Sequence, residues 1–144
     1  MSELNLTERA LRFCEINKLR LTKPRIEVLR VLALSGKPMK AYALLEALSC
    51  SSEKVKPPTI YRAIDFWCKH GFIHRIESMN AYVCCCGHEL HDNFCIFICD
   101  ECHVTLELPV ASIPLSTKVE MKNNNLYASR ANTEIHGRCG KCYV

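Results

Sequence analysis

The stretch Pro57-Pro-Thr-Ile-Tyr-Arg-Ala-Ile-Asp-Phe-Trp-Cys-Lys-His-Gly71 decides the fold of the first half of this 144-residue chain. Paired prolines suit the first turn of a helix, where their fixed φ is already helical, and Gly71 suits its left-handed exit. Ile60, Ala63, Ile64 and Trp67 recur at i, i+3, i+4 and i+7, which puts them on one buried face. Tyr61, Arg62, Asp65 and Lys69 then share the opposite face. An aromatic hydroxyl and a guanidinium so placed, near a helix N-terminus, are groups that can meet DNA. They are equally the groups of an ordinary solvated surface.

The flanking residues weigh toward DNA. Downstream, Phe72–Ile76 and Ala81–Cys85 are short β-prone runs joined by a polar turn at Ser78-Met79-Asn80, which predicts a hairpin. Upstream, Thr7 is placed to cap a helix to about Lys18, and Thr22-Lys23-Pro24 to open a second with Ile26, Leu29, Leu32 and Ala33 as its stripe. Lys37-Pro38 ends that segment, Tyr42–Leu48 reads as a third helix, and Ser49–Lys56 as a loop. Helices followed by a hairpin describe a winged helix-turn-helix, whose last helix enters the major groove. Arg62 can then pair with guanine or grip phosphate. Tyr42, Lys23 and Arg25 are further candidates for phosphate contact.

The two halves differ in charge and in sulfur. Up to Val83 there are 14 Lys and Arg against 8 Asp and Glu; from Cys84 the balance is 5 against 7. Eight of the eleven cysteines and four of the six histidines fall in the second part. A basic first half suits a polyanion, and a Cys/His-rich second half suits metal. No apolar run approaches the ~18 residues of a membrane span, and the first residues lack a basic segment leading into an apolar one. The expected compartment is therefore the cytosol, where clustered cysteines point to metal or redox chemistry rather than to disulfides.

Cys99-Asp-Glu-Cys102 and Cys139-Gly-Lys-Cys142 are two Cys-x-x-Cys knuckles, together a four-thiolate zinc site. The 36 residues between them exceed a zinc ribbon's spacing, so a small domain must fold there. Phe94–Ile98 and Val104–Leu108 read as its strands, Pro114–Asn123 as a helix, and Leu126–His136 as a third strand. The fold class is α+β: an N-terminal winged helix-turn-helix domain over residues 1–83, a metal-binding linker at 84–92, and a small α/β dimerisation domain over 93–144 carrying the four-cysteine zinc site. Further potential ligands are His74, Cys84, Cys85, Cys86, His88, His91, Cys95, His103, Glu107 and His136. A mixed thiolate, imidazole and carboxylate set binds zinc less tightly and in a pH-dependent way, as a sensor requires. His70 reads as a cation at a helix end. A symmetric dimer formed through the second domain would present two reading helices to a two-fold DNA site.

These residues resemble the ferric uptake regulator superfamily, and most of all its zinc uptake regulator branch. The resemblance covers nearly the whole chain. It rests on Arg20-Leu-Thr-Lys-Pro-Arg25, Lys56-Pro-Pro-Thr-Ile-Tyr-Arg-Ala-Ile-Asp-Phe66, Gly71-Phe-Ile-His-Arg-Ile-Glu-Ser78, Ala81-Tyr-Val83, Phe97-Ile-Cys-Asp-Glu-Cys102 and His136-Gly-Arg-Cys-Gly-Lys-Cys142. It implies a homodimeric winged-helix repressor of zinc uptake genes, active in transcription regulation and zinc homeostasis, that binds palindromic double-stranded operator DNA when zinc-loaded. It implies two zinc ions per chain, one structural at Cys99, Cys102, Cys139 and Cys142, one regulatory at His74, Cys85, a loop histidine and Glu107. The loop histidine is His91 or, alternatively, His88, because Gly87-His-Glu-Leu-His-Asp-Asn-Phe-Cys95 departs from the family's loop in length. Cys84 or Cys86 can substitute for Cys85, and His103 stands where the family commonly has Gly. No membrane partner, small-molecule substrate or enzymatic activity is expected.

The rival readings are distinguishable. An iron-, manganese- or peroxide-responsive regulator of the same superfamily is the alternative; the His-His-x-His run usual in the iron branch is missing here. A zinc hydrolase or deaminase would need a His-x-Glu/Pro-Cys-x-x-Cys or His-Glu-x-x-His pattern, which is absent.

Overall fold

The computed structural model describes residues 3–50, 54–85, 93–108 and 113–144. It divides into two compact units, Met1–His88 and Glu89–Val144, a boundary lying inside the 84–92 segment.

The first unit begins with four helices, α1 (Glu3–Ile16), α2 (Lys23–Ser35), α3 (Ala41–Ser49) and α4 (Pro57–Lys69). A hairpin of β1 (Ile73–Ile76) and β2 (Ala81–Cys84) follows. Helix α1 starts before Thr7, which therefore lies within it rather than capping it. Thr22 is the extended residue before α2, with Pro24 in the first turn, and Gly36 closes that helix at φ 59°. Helix α2 packs on α1, α3, α4 and β2, so it is the centre of the unit. Its buried residues are Val28, Leu29 and Leu32; Ile26 and Ala33 are only half-buried, because with neighbours on several sides the helix buries a face shifted toward Val28.

The face foreseen for α4 is the observed one. Ile60, Ala63, Ile64 and Trp67 are all buried, while Tyr61, Arg62, Asp65 and Lys69 are exposed. Gly71 leaves the helix at φ 75°, a left-handed conformation that a side chain would strain. The antiparallel hairpin pairs His74 with Val83 and Ile76 with Ala81. A one-residue bridge joins Met39 to Tyr82, with N–H···O distances of 2.9 and 2.8 Å, and fastens the hairpin to the segment between α2 and α3.

The second unit is a three-stranded sheet in the order β4–β3–β5, with helix α5 (Leu115–Asn123) between β4 and β5 in sequence. Strand β3 (Asn93–Cys99) runs antiparallel to β4 (Thr105–Leu108) and parallel to β5 (Ala131–Gly137). Parallel pairing needs a crossover, and α5 lies within it. Strand β5 begins at Ala131, not Leu126, because the Leu126 N–H is spent on the Met121 carbonyl (2.8 Å), closing α5, and Asn125 turns the chain at φ 55°. Gly137 lies beside Phe97; a Cβ there would stand 3.2 Å from the ring, so a larger residue would have to push the ring aside by a few tenths of an ångström.

Candidate metal centres and nucleic-acid interface

The four-thiolate cluster lies wholly within the second unit. The parallel register sets Cys99 opposite Gly137, so the first knuckle leaves the end of β3 beside the point where the chain leaves β5 for the second knuckle. The Asp100 N–H donates to the Gly137 carbonyl at 2.8 Å and holds the two turns side by side. The Sγ atoms of Cys99, Cys102, Cys139 and Cys142 all lie within 4.8 Å of one another. Cys102 and Cys139 sulfurs are 3.7 Å apart. A tetrahedron with Zn–S bonds of about 2.3 Å has edges of about 3.8 Å, a spacing that the Cys102–Cys139 pair already has.

The backbone prepares these thiols for metal. Backbone N–H groups of Cys102 and Cys139 point at Cys99, the latter at 3.4 Å, and pull its thiol down to about 6. Backbone N–H groups from Cys142 and Lys141 lower Cys139 as well. Cys142 is pushed up to about 12, since its sulfur faces Cys139 and Cys102 and would be an additional negative charge among thiolates. A divalent cation removes that repulsion and deprotonates the whole set, so the donors fit zinc. His103 completes the first turn in the left-handed region at φ 58°, its N–H donating to the Cys99 carbonyl at 2.9 Å; the knuckle closes without the family's glycine.

A second donor pair lies in the first unit. His74 is buried on β1, and Cys85 is buried just beyond β2. A ring nitrogen of His74 and the sulfur of Cys85 lie within 4.8 Å of each other. The Cys85 N–H donates to the Phe72 carbonyl at 2.9 Å, which extends the hairpin pairing by one residue and fixes the sulfur's direction. Cys84 points the other way, its sulfur 3.7 Å from the Leu29 carbonyl on α2. Of these two thiols, Cys85 faces His74 and Cys84 does not. Glu107 sits half-buried on β4, opposite Ile96. Cys86, His88 and His91 lie outside the described residues. Imidazole and thiolate are donors that suit zinc.

His136 lies on β5 with Nδ1 3.2 Å from Asp100 Oδ1 and Nε2 3.4 Å from Glu134 Oε2. The two carboxylates take opposite sides of the ring and do not converge on one nitrogen, so this trio is a poor ion cage. His70 differs from its expected role. Its ring packs on Phe66 and Phe13, with centroids 4.7 and 5.2 Å away, and burial followed by the Lys69 and Arg25 charges lowers its pKa, favouring the neutral ring.

Elsewhere in the first unit, Tyr61 and Tyr42 are 51% and 64% exposed, so both hydroxyls are available to a partner. Arg62 and Lys23 are exposed too. Arg25 is placed differently. Its guanidinium lies 3.7 Å from the centroid of the Phe66 ring and donates to the Arg20 carbonyl. Nothing in the local sequence signals this stack, because Phe66 and Arg25 belong to different helices. No described helix is long and apolar enough to cross a membrane.

Comparison with known proteins gives a consistent result. The model of the ferric uptake regulator family matches residues 16–136. The zinc uptake regulation protein of Escherichia coli (strain K12) is 37% identical over 145 residues, covering 95% of this chain and 81% of that protein. Among solved structures, a zinc uptake regulator complexed with zinc and DNA aligns at 34% identity with a TM-score of 0.89, over 99% of this chain and 95% of that one. Holo XcZur aligns at 37% identity and a TM-score of 0.81, over 96% of each chain.

Proposed function

Because the chain belongs to the ferric uptake regulator family, we propose that it is a homodimeric, zinc-responsive transcriptional repressor that binds palindromic operator DNA when zinc-loaded and silences zinc uptake genes. The observation that carries this reading is the second donor pair. His74 and Cys85 sit on the hairpin that directly follows the helix exposing Tyr61 and Arg62, separate from the four-thiolate cluster. A closed set of four thiolates suits a structural ion, whereas a mixed set suits one that comes and goes with supply. Proteins that this chain resembles in sequence and shape include zinc uptake regulators, one of them solved with zinc and DNA.

In this reading Cys99, Cys102, Cys139 and Cys142 hold the structural zinc. His74, Cys85, Glu107 and a loop histidine, His91 or alternatively His88, hold the regulatory zinc. Helix α4 enters the major groove, with Tyr61 and Arg62 at the bases or adjoining phosphates and Tyr42 and Lys23 on the backbone. The dimer forms through the second unit, where Leu106, Leu115, Val119 and Ile135 are exposed. The protein works in the cytosol, where its thiols stay reduced, and as a regulator rather than an enzyme. Effector coupling of this kind is typically ~1–3 kcal/mol, or about 5–150-fold in DNA affinity, and DNA tightens zinc by the same factor.

The test is to select the operator from a random duplex pool under buffered zinc, then titrate binding against free zinc, iron(II) and manganese(II). Zinc is expected to switch binding on at the lowest free concentration. If iron(II) does so at its ordinary free levels and zinc does not, the iron-responsive alternative replaces this reading.

A further inference from the structure

Arg25 would be assigned to phosphate contact by its charge and its place near the start of α2. The structure uses it otherwise. The guanidinium carbon lies over Phe66, 3.7 Å from the ring centroid, and the group also donates to the Arg20 carbonyl. The backbone carbonyl of the same residue accepts a 2.7 Å hydrogen bond from Trp67 Nε1. Arg25 therefore grips two consecutive residues of α4, one through its side chain and one through its main chain. Phe66 and Trp67 stand in edge contact with each other, centroids 4.9 Å apart, and Trp67 stands in edge contact with Phe72 at 5.1 Å. Asp65, the neighbour of Phe66, lies on the same exposed face as Tyr61 and Arg62.

We propose that Arg25 is a positioning residue that fixes the rotation of the DNA-reading helix α4 through Phe66 and Trp67, and that it makes no phosphate contact. The proposal rests on the reading of α4 as the DNA-reading helix. A cation over a ring is directional, and a planar guanidinium stacks where an ammonium does not. Turning α4 about its axis would swing Tyr61 and Arg62 off the base edges while leaving the unit's net charge unchanged. The residue would then govern how well the operator is told from other DNA, not how strongly DNA in general is held.

The test compares full-length, zinc-loaded Arg25→Lys, Arg25→Gln, Phe66→Leu, the Arg25→Gln/Phe66→Leu double variant and Arg62→Gln. Three quantities are read: affinity for the selected operator, affinity for unrelated duplex, and the slope of log affinity against log salt. Arg25→Lys and Arg25→Gln should both lose operator affinity, by about 3- to 30-fold. Both should keep the parent's salt slope and its affinity for unrelated DNA. The double variant should be no weaker than the worse single one, since both act through the same contact. The idea is overturned if Arg25→Lys binds like the parent while Arg25→Gln weakens both DNAs and drops the slope by about one, the signature of a lost phosphate contact.

A DNA-independent readout separates this idea from the reading it rests on. Trp67 is the chain's one tryptophan, so its indole N–H gives a single resonance. Its exchange with solvent should quicken in Arg25→Lys, Arg25→Gln and Phe66→Leu and stay unchanged in Arg62→Gln. Unchanged exchange in the Arg25 variants overturns the clamp. A parent protein that selects no operator overturns the proposed function and leaves the clamp to be decided by the exchange rates.

Discussion

Cys84 and Cys85 are the same residue type one position apart, yet they face opposite ways because strand side chains alternate. Cys84 turns to the Leu29 carbonyl and joins the packing around α2; Cys85 turns to His74 and becomes a ligand candidate. Composition presents Cys84 and Cys85 as interchangeable, and only the hairpin's pairing distinguishes them. His70 shows the same dependence on surroundings. A histidine at a helix end invites a charged reading, but Phe13 and Phe66 enclose the ring and lower its pKa from the ordinary 6.5. A base whose native pKa is depressed is protonated more readily in the unfolded chain. Its contribution to stability is therefore intact above about 6.5 and is lost as pH falls through the lowered native value. His70→Phe keeps a ring without a titrating group, and its thermal midpoint should fall less than the parent's between about pH 7.5 and 5.5. Equal losses in the two proteins would rule out the ring as a source of acid sensitivity.

At the scale of elements, what was legible depended on whether the signal was local. The two faces of α4 follow from spacing alone, and the structure reproduces them residue by residue. The Cys-x-x-Cys pairs were legible because two thiols on one tight turn serve the same ion in any surrounding. The start of β5 was not, since residues from Leu126 are apolar enough for a strand but are used to finish α5. The Arg25–Phe66 stack was not either, because it joins residues 41 positions apart whose meeting depends on how α2 crosses α4. The loop histidine, His91 or His88, stays a proposal, since both lie outside the described residues. Gly71 is the element-level feature with the plainest consequence. At φ 75° it redirects the chain from α4 into β1, and Gly71→Ala should cost roughly 1–2 kcal/mol, read as a lower denaturant midpoint with zinc content unchanged. No loss of midpoint would show that the turn relaxes freely.

At the scale of the whole molecule, the two units have unequal means of staying folded. The first contains a contiguous core running from Leu6 through Val28, Leu44, Ile64 and Trp67 to Tyr82. In the second, the buried residues among those described are Phe94, Ile96, Ile98 and Cys99, all on one strand. A unit of that size seldom holds alone without metal or a partner. A chelator strong enough to strip both ions should therefore abolish amide-exchange protection along β3 and β5 while α2 and α4 keep theirs. Protection that survives in the sheet would mean that the thiolate cluster is dispensable for folding. The same experiment at partial chelation separates the two classes of ion: DNA binding should disappear first, while the sheet is still protected.

The parallel pairing of β3 with β5 brings together cysteines 40 positions apart, Cys99 and Cys139. An ion shared between them is a cross-link, and its effect falls largely on the denatured ensemble, which is deprived of the many open conformations available to a free loop. A covalent bridge over a loop of this length would remove on the order of 4 kcal/mol of chain entropy. Sulfur–sulfur bonds are not maintained where glutathione is abundant, whereas a thiolate-bound cation survives there. In a reducing compartment such an ion is the equivalent of a disulfide, one that is broken by competition for metal rather than by electrons.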